Sequence, residues 1–97
     1  MRGEFTIKVP RHVDLDQVKK LLNDTINADK HVLEKKYTNT IVTGFDDFGI
    51  GLKTFFFSNP QKKSPMIIAR DLQPTILELF KKYGIRLPYN HMTITAE

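Results

Sequence analysis

The sequence has 97 residues, which is the length of one small domain. Hydrophobic residues make up 40% of the chain and charged residues 27%, which is typical of a globular protein and excludes a disordered one. The net charge of +4 comes from lysine pairs scattered along the chain, a pattern that favours a solvated surface over a nucleic-acid footprint. Cysteine is absent, which excludes disulfides, thiolate metal sites and cysteine nucleophiles. No apolar run approaches the roughly 20 residues that span a bilayer, so we expect a soluble chain.

The first predicted elements are a strand and a helix. Residues 5–9 alternate between apolar and polar side chains, which predicts a strand with one buried face that ends before Pro10. A helix follows, with Asp14 as its N-cap and Gln17 completing a capping box. Its buried stripe is predicted to consist of Leu15, Val18, Leu22 and Ile26.

A hairpin is predicted in the middle of the chain. Its strands lie near residues 40–45 and 50–57, and residues 46–49 form the turn between them. The second strand contains three consecutive phenylalanines in the segment KTFFFSNP. Because successive side chains of a strand point to opposite faces, Phe56 is expected in the core, while Phe55 and Phe57 form an exposed apolar patch on the other face.

The second helix is predicted to begin after Asp71 as its N-cap, with Pro74 in the first turn and Gly84 as a left-handed cap at its end. Its buried stripe is predicted to consist of Leu72, Ile76, Leu79, Phe80 and Tyr83. A last strand is predicted in the segment HMTITAE, where apolar and polar residues alternate again.

This order of elements predicts an α+β fold, a ferredoxin-like βαββαβ sandwich in which both helices cover one face of a four-stranded antiparallel sheet. The covered face is expected to carry Phe5, Ile7, Val9, Ile50, Leu52, Phe56, Met92 and Ile94. The open face is expected to carry Thr6, Lys8, Lys53, Phe55, Phe57, Thr93 and Thr95. We expect a single domain over residues 1–97, and the abrupt start predicts that residues 1–4 include residues added to the natural chain.

No pattern in the sequence predicts catalysis. His12, His31 and His91 lie in separate parts of the chain, without other ligand types at metal-binding spacing. The serines have no nucleophile motif, and the glycines of FGIGLK precede a strand and not the helix that a phosphate loop requires. The sequence therefore predicts a protein that is not an enzyme and has no metal or cofactor.

Two aromatic residues on an open sheet face are also compatible with another function, the binding of RNA. RNA-recognition domains have the same order of elements and stack bases on such residues, but GLKTFFFS lacks the glycine that follows the basic residue in their third-strand motif. A free-standing ferredoxin-like module that binds RNA or regulates through a small ligand therefore remains the alternative function.

The end of the chain carries the most distinctive motif. The segment FKKYGIRLPYNHMTI resembles the end of small-conductance mechanosensitive channels, where a helix closes on Gly-Ile-x-(apolar)-Pro-(Phe/Tyr)-Pro-Gln before a strand. The residues that match are Gly84, Ile85, Leu87, Pro88 and Tyr89. Asn90 and His91 depart from the family, which usually has Pro and Gln there. The segments DLDQVKKLL and DDFGIGLKTFFFSN are similar to the family's first helix and to its acidic turn and following strand.

The resemblance implies the C-terminal α/β domain of such a channel, on the cytoplasmic side of the inner membrane. In this family, membrane helices carry a tension-gated pore, and the α/β domains complete a homoheptameric cytoplasmic cage with side portals. Contact with the membrane would be made only by an N-terminal part absent from this sequence, and no nucleic acid is expected as a partner. The resemblance implies subunit or inter-domain contacts at Lys53, Phe55, Phe57, Tyr89 and His91. It implies structural roles for Gly84, Ile85, Leu87 and Pro88.

Overall fold

The structure, a computed structural model, describes residues 2–47 and 49–85, and the backbone of residues 92–96. Its elements in chain order are β1 (Arg2–Val9), α1 (Leu15–Asn27), β2 (Val32–Leu33), β3 (Asn39–Asp46), β4 (Gly49–Ser58), α2 (Pro65–Lys82) and β5 (Met92–Ala96). A short 3-10 helix, Lys35–Tyr37, connects β2 with β3. The order strand, helix, strand, strand, helix, strand is as predicted, and β2 is an addition that the sequence pattern did not indicate.

The sheet is antiparallel and is built around the pair β1 and β4. β5 pairs with the other edge of β1, while β3 and the two-residue β2 share the other edge of β4. The α+β class, with two helices and four main antiparallel strands, is therefore confirmed.

The core lies between one face of this sheet and the two helices. The sheet contributes five fully buried side chains that were predicted for the covered face, namely Phe5, Ile7, Val9, Leu52 and Phe56. Ile50 is half-buried and packs against the same cluster. The side chains of Met92 and Ile94, also predicted here, lie outside the described residues.

Helix α1 begins and packs as the sequence predicted. The Asp14 side chain accepts hydrogen bonds from the backbone N–H groups of Asp16 at 3.1 Å and Gln17 at 3.3 Å. These bonds satisfy two of the amide groups that the first turn leaves without helical partners. The predicted stripe contributes three fully buried residues, Val18, Leu22 and Ile26, while Leu15 is half-buried.

Helix α2 begins earlier than predicted, so Asp71 is not its N-cap. Ser64 caps the helix by accepting a hydrogen bond from Ile67 N–H at 3.3 Å, and Pro65 takes the first helical position. That position suits proline because its missing N–H would have no helical partner there. Asp71 instead lies inside the helix, with its carboxylate 3.0 Å from the Lys63 ammonium.

Two further predictions for α2 were wrong. Pro74 lies inside the helix and not in its first turn. Because proline has no N–H, the Arg70 carbonyl lacks its usual helical partner, at a cost of about 3 kcal/mol. Tyr83 was predicted to be buried, but its side chain is 51% exposed because it follows the last helical turn.

The end of α2 is fixed by a left-handed glycine. Gly84 has a φ of 73°, which turns the chain back over the last turn of the helix. Its N–H donates to the Lys81 carbonyl at 3.1 Å, and the N–H of Ile85 donates to the Phe80 carbonyl at 2.8 Å. This is a Schellman motif, and it brings Ile85 into the core beside Phe80.

We expect Gly84→Ala to lower the free energy of unfolding by about 1 kcal/mol, because a Cβ disfavours the left-handed conformation. Urea denaturation followed by circular dichroism measures this change. The control Lys82→Ala, at an exposed position two residues earlier, should change stability by less than about 0.5 kcal/mol. Equal losses in both variants would contradict a special role for the glycine.

Candidate interaction surfaces

The open face of the sheet presents Phe55 and Phe57 between neighbouring strands. Phe55 lies opposite Glu4 of β1 and Asn39 of β3, while Phe57 lies opposite Arg2. Both rings are half-buried because β4 is a central strand with neighbours on each side. Phe55 and Phe57 are thus less exposed than the sequence pattern predicted.

Charged side chains cover part of this aromatic surface. The Arg2 guanidinium lies 4.8 Å from the centre of the Phe55 ring, and the Lys53 ammonium lies 5.9 Å from it. Glu4 lies next to both cations, with one carboxylate oxygen 3.4 Å from Arg2 and the other 3.6 Å from Lys53. Only 13% of the Glu4 side chain is exposed, so the carboxylate is largely enclosed by its partners. This arrangement stabilises the open face through cation–π and ionic contacts.

The predicted site residues do not all lie together. Lys53, Phe55 and Phe57 share the open face, whereas Ile85 belongs to the core beneath the helices. Gly84 lies at the end of α2, on the helical side of the sheet. Four further predicted site residues lie outside the described part of the chain, namely Leu87, Pro88, Tyr89 and His91.

Further exposed apolar side chains lie on β3 and on α2. On β3 they are Ile41, Val42 and Phe45, and on α2 they are Met66, Ile67, Pro74 and Leu77, which we call the α2 outer surface. Phe45 is the most exposed of these side chains, at 79%. The sequence pattern assigned none of these side chains to a face of the sheet or to the buried stripe of α2. For α2 the signal was present, since its apolar residues are too numerous for one stripe.

A buried hydroxyl pair holds the start of β3 in place. Thr40 donates its hydroxyl hydrogen bond to the Asn23 side-chain oxygen of α1 at 2.7 Å, and its oxygen lies 2.8 Å from the Thr54 hydroxyl of β4. Because the single Thr40 proton points to Asn23, Thr54 is the donor of the second bond. Thr40 thus joins the strand to both α1 and the centre of the sheet.

The other end of β3 is held by charged groups from β1 and the loop after it. The Lys8 ammonium lies 2.6 Å from a carboxylate oxygen of Asp46, and Arg11 Nε donates to the Asp46 carbonyl at 3.0 Å. The other Asp46 carboxylate oxygen accepts from Gly49 N–H at 3.2 Å, which closes the turn into β4. A bulge between Val42 and Gly44 lies just before this end. The hairpin therefore holds Phe45 in a defined position although the ring itself is exposed.

The described residues contain neither a candidate metal centre nor a candidate membrane span. No group of three or more His, Cys, Asp or Glu side chains comes together there in a way that could hold a metal ion. In the same part of the chain, neither helix is both long enough and apolar enough to cross a bilayer.

Comparison with known families identifies the chain. The family model described as the C-terminal region of the mechanosensitive ion channel MscS matches residues 4–87. The chain therefore belongs to this family and represents a C-terminal domain that is part of a mechanosensitive channel. A search of curated proteins gave no match. Channels of this family oligomerise, and the family is not enzymatic, so the prediction of a non-enzymatic channel domain is confirmed.

We expect the neighbouring phenylalanines to differ sharply on truncation. Phe56→Ala should lower the free energy of unfolding by about 3–5 kcal/mol, because it leaves a cavity in the core. Phe55→Ala should lower it by about 1 kcal/mol, because a half-buried ring loses about half of the value of full burial. Urea denaturation measures both changes. A Phe55→Ala loss as large as that of Phe56→Ala would contradict the division between the faces.

Proposed function

We propose that the chain is the cytoplasmic cage domain of a tension-gated channel, where it contributes to subunit assembly and to the filtering of ions and solutes at the cytoplasmic vestibule. The observation that carries this proposal is the family match over residues 4–87. In this proposal the domain lies on the cytoplasmic side of the membrane, seven copies form the cage, and the fold is the ferredoxin-like arrangement. The strand order β3–β4–β1–β5 supports that arrangement.

The open sheet face is proposed to contact a neighbouring subunit or another domain of the channel. Phe55 and Phe57 supply aromatic rings there and Arg2 supplies a guanidinium, which are residue types enriched at protein interfaces, and Lys53 lies beside them. Tyr89 and His91 are proposed to lie at the same kind of contact or at a portal rim, on the basis of the resemblance alone. A domain of this size buries only a small core, so contacts with a neighbouring subunit or domain would add to its stability.

Filtering is proposed to rest on the positive charge of the domain. The chain carries a net charge of +4, which raises the local concentration of anions near any opening that it lines. Salt screens this effect over about 8–10 Å at physiological ionic strength. The domain would therefore bias permeating ions and exclude large solutes, while tension is sensed by membrane helices.

The geometry does not favour the RNA-binding alternative. Stacking of a base requires an open aromatic face, whereas the Arg2 guanidinium lies over the Phe55 ring. The neighbouring Glu4 carboxylate lies beside both Arg2 and Lys53 and reduces their attraction for phosphate.

Lys62 is the best position at which to test the electrostatic role. It is exposed, whereas Lys63 lies 3.0 Å from Asp71 and Lys53 lies 3.6 Å from Glu4. Reversing either of the paired lysines would also remove a structural contact. In a complete channel that carries this domain, Lys62→Glu should shift the reversal potential in a salt gradient toward cation preference. The shift should shrink as the total salt concentration rises.

The matched control is Lys20→Glu, which makes the same charge change at an exposed position of α1. Single-channel recording at two ionic strengths measures both variants. If Lys62→Glu left the reversal potential unchanged in channels that open normally, electrostatic filtering by this loop would be rejected.

A further inference from the structure

A groove lies between the second half of α1 and the middle of α2. The side chains that meet there include the small ones of Thr25 and Ala28 from α1 and of Thr75 from α2. Two neighbouring helices need larger side chains than these to fill the space between them, so a gap remains. Its volume is about 420 Å³, which is the size of a small-molecule site.

The apolar part of the groove is formed by leucines from both helices. Leu21 of α1 and Leu72 and Leu79 of α2 line it, and each is half-buried. Leu21 and Leu72 also pack against the hydrophobic core, which fixes their positions. A ligand that covers these leucines would therefore remove apolar surface from water without a large rearrangement of the protein.

The polar part of the groove consists mainly of hydrogen-bond acceptors. The Thr25 hydroxyl donates its proton to the Leu21 carbonyl at 2.6 Å, so its oxygen can only accept a further bond. The other polar groups include the carboxylates of Asp24 and Asp29. Among the described residues that line the groove, none is a lysine, an arginine or a histidine. The lining therefore favours a positively charged donor over an anion.

The two carboxylates differ in what already binds them. Asp29 is only 12% exposed, it accepts a hydrogen bond from His31 N–H at 2.7 Å, and the Lys63 ammonium lies 3.9 Å away. Asp24 is exposed, and its side chain makes no hydrogen bond or ion pair with any other residue that the structure describes. Asp24 is therefore the carboxylate that is available to a ligand.

The position of Asp24 within α1 adds to the negative potential. The last turn of α1 contains no basic residue, and Asp24 begins that turn. A carboxylate is unfavourable there, because the end of a helix already carries a partial negative charge. The Lys35 ammonium binds the carbonyls of Asn27 and Asp29, which lie beyond Asp24. A cation in the groove would interact favourably with both the Asp24 carboxylate and the end of the helix.

We propose that this groove binds a small free amine, in which one ammonium group is attached to an aliphatic chain. The ammonium donates hydrogen bonds to Asp24, and the aliphatic chain lies against Leu21, Leu72 and Leu79. This inference goes beyond the proposed function and does not depend on it. The groove lies between the helices, whereas the proposed contact with other parts of the channel lies on the open face of the sheet.

Hexylamine is a suitable probe, with hexanol and hexanoate as matched controls of the same chain length. Titration of the isotope-labelled chain, followed by NMR, should shift the amide signals of Thr25 and Thr75. We expect saturation with a Kd of about 1 mM, since so small a ligand makes few contacts. Hexanol should bind at least about threefold more weakly because it lacks the charge, and hexanoate should not bind. The affinity for hexylamine should fall as salt is added, because Asp24 is exposed.

Two variants separate the charged part of the site from the apolar part. Asp24→Asn should weaken hexylamine binding by about threefold to fivefold, which is what an exposed ion pair contributes, and should leave hexanol binding unchanged. Asp16→Asn, the matched control at an exposed position in the first turn of α1, should change neither. Thr75→Phe should prevent binding of both probes, because the ring would fill the groove. The position is exposed, so the circular dichroism spectrum should be unchanged.

Several outcomes would overturn the proposal. The absence of a saturable shift up to about 10 mM hexylamine would exclude the site, given the expected Kd. Equal affinities for hexylamine and hexanol, or an unchanged affinity in Asp24→Asn, would reduce the groove to an apolar depression. Binding of Nα-acetyl-lysinamide as tight as that of hexylamine would assign the groove to a lysine side chain of a partner protein. A dimer of the chain that Thr75→Phe abolishes would assign it to a second copy.

Discussion

The pairing of β1 with β4 is the constraint on which the rest of the structure depends. The two strands pair from Arg2 opposite Phe57 to Val9 opposite Ile50, and this register places their buried side chains on the same face. A slip of one residue would move the buried side chains of the slipped strand to the open face. β5 then pairs with β1, β3 pairs with β4, and both helices cover the face that results. Gly3 is part of this arrangement, because a Cβ there would lie 2.5 Å from Pro65 at the start of α2.

Helix α2 combines features that a solitary domain would avoid. Pro74 removes a helical hydrogen bond in the middle of the helix, and the apolar side chains of Met66, Ile67 and Leu77 are exposed on the same helix. Local rules and global fold usually agree in natural sequences, and conflicts concentrate where function imposes another demand. Burial of Met66 and Leu77 against another part of the channel would be such a demand, because it would remove their apolar surface from water.

The open face of the sheet differs from the α2 outer surface in that its aromatic side chains are partly covered by residues of the same chain. Phe55 is shielded within its own chain by Arg2 and Lys53, while Glu4 balances their charge. These groups come from two strands that are distant in sequence, and the register of β1 and β4 alone brings them together. A surface of this kind can meet another domain without exposing a large apolar area beforehand, which limits aggregation of the unassembled chain.

The sequence by itself determined the order of the elements, the buried face of the sheet and the cap of α1, because these depend on periods of 2 and 3.6 residues and on local hydrogen bonds at Asp14. It also carried the motifs that identify the family. It did not determine the start of α2, which was predicted after Asp71, whereas in the structure Ser64 caps the helix and Pro65 packs close to Gly3 of β1. Nor did it determine which aromatic and aliphatic side chains stay exposed. Exposure depends on neighbours that are distant along the chain, and only the tertiary structure places Arg2 over Phe55 and leaves Phe45 and Leu77 uncovered.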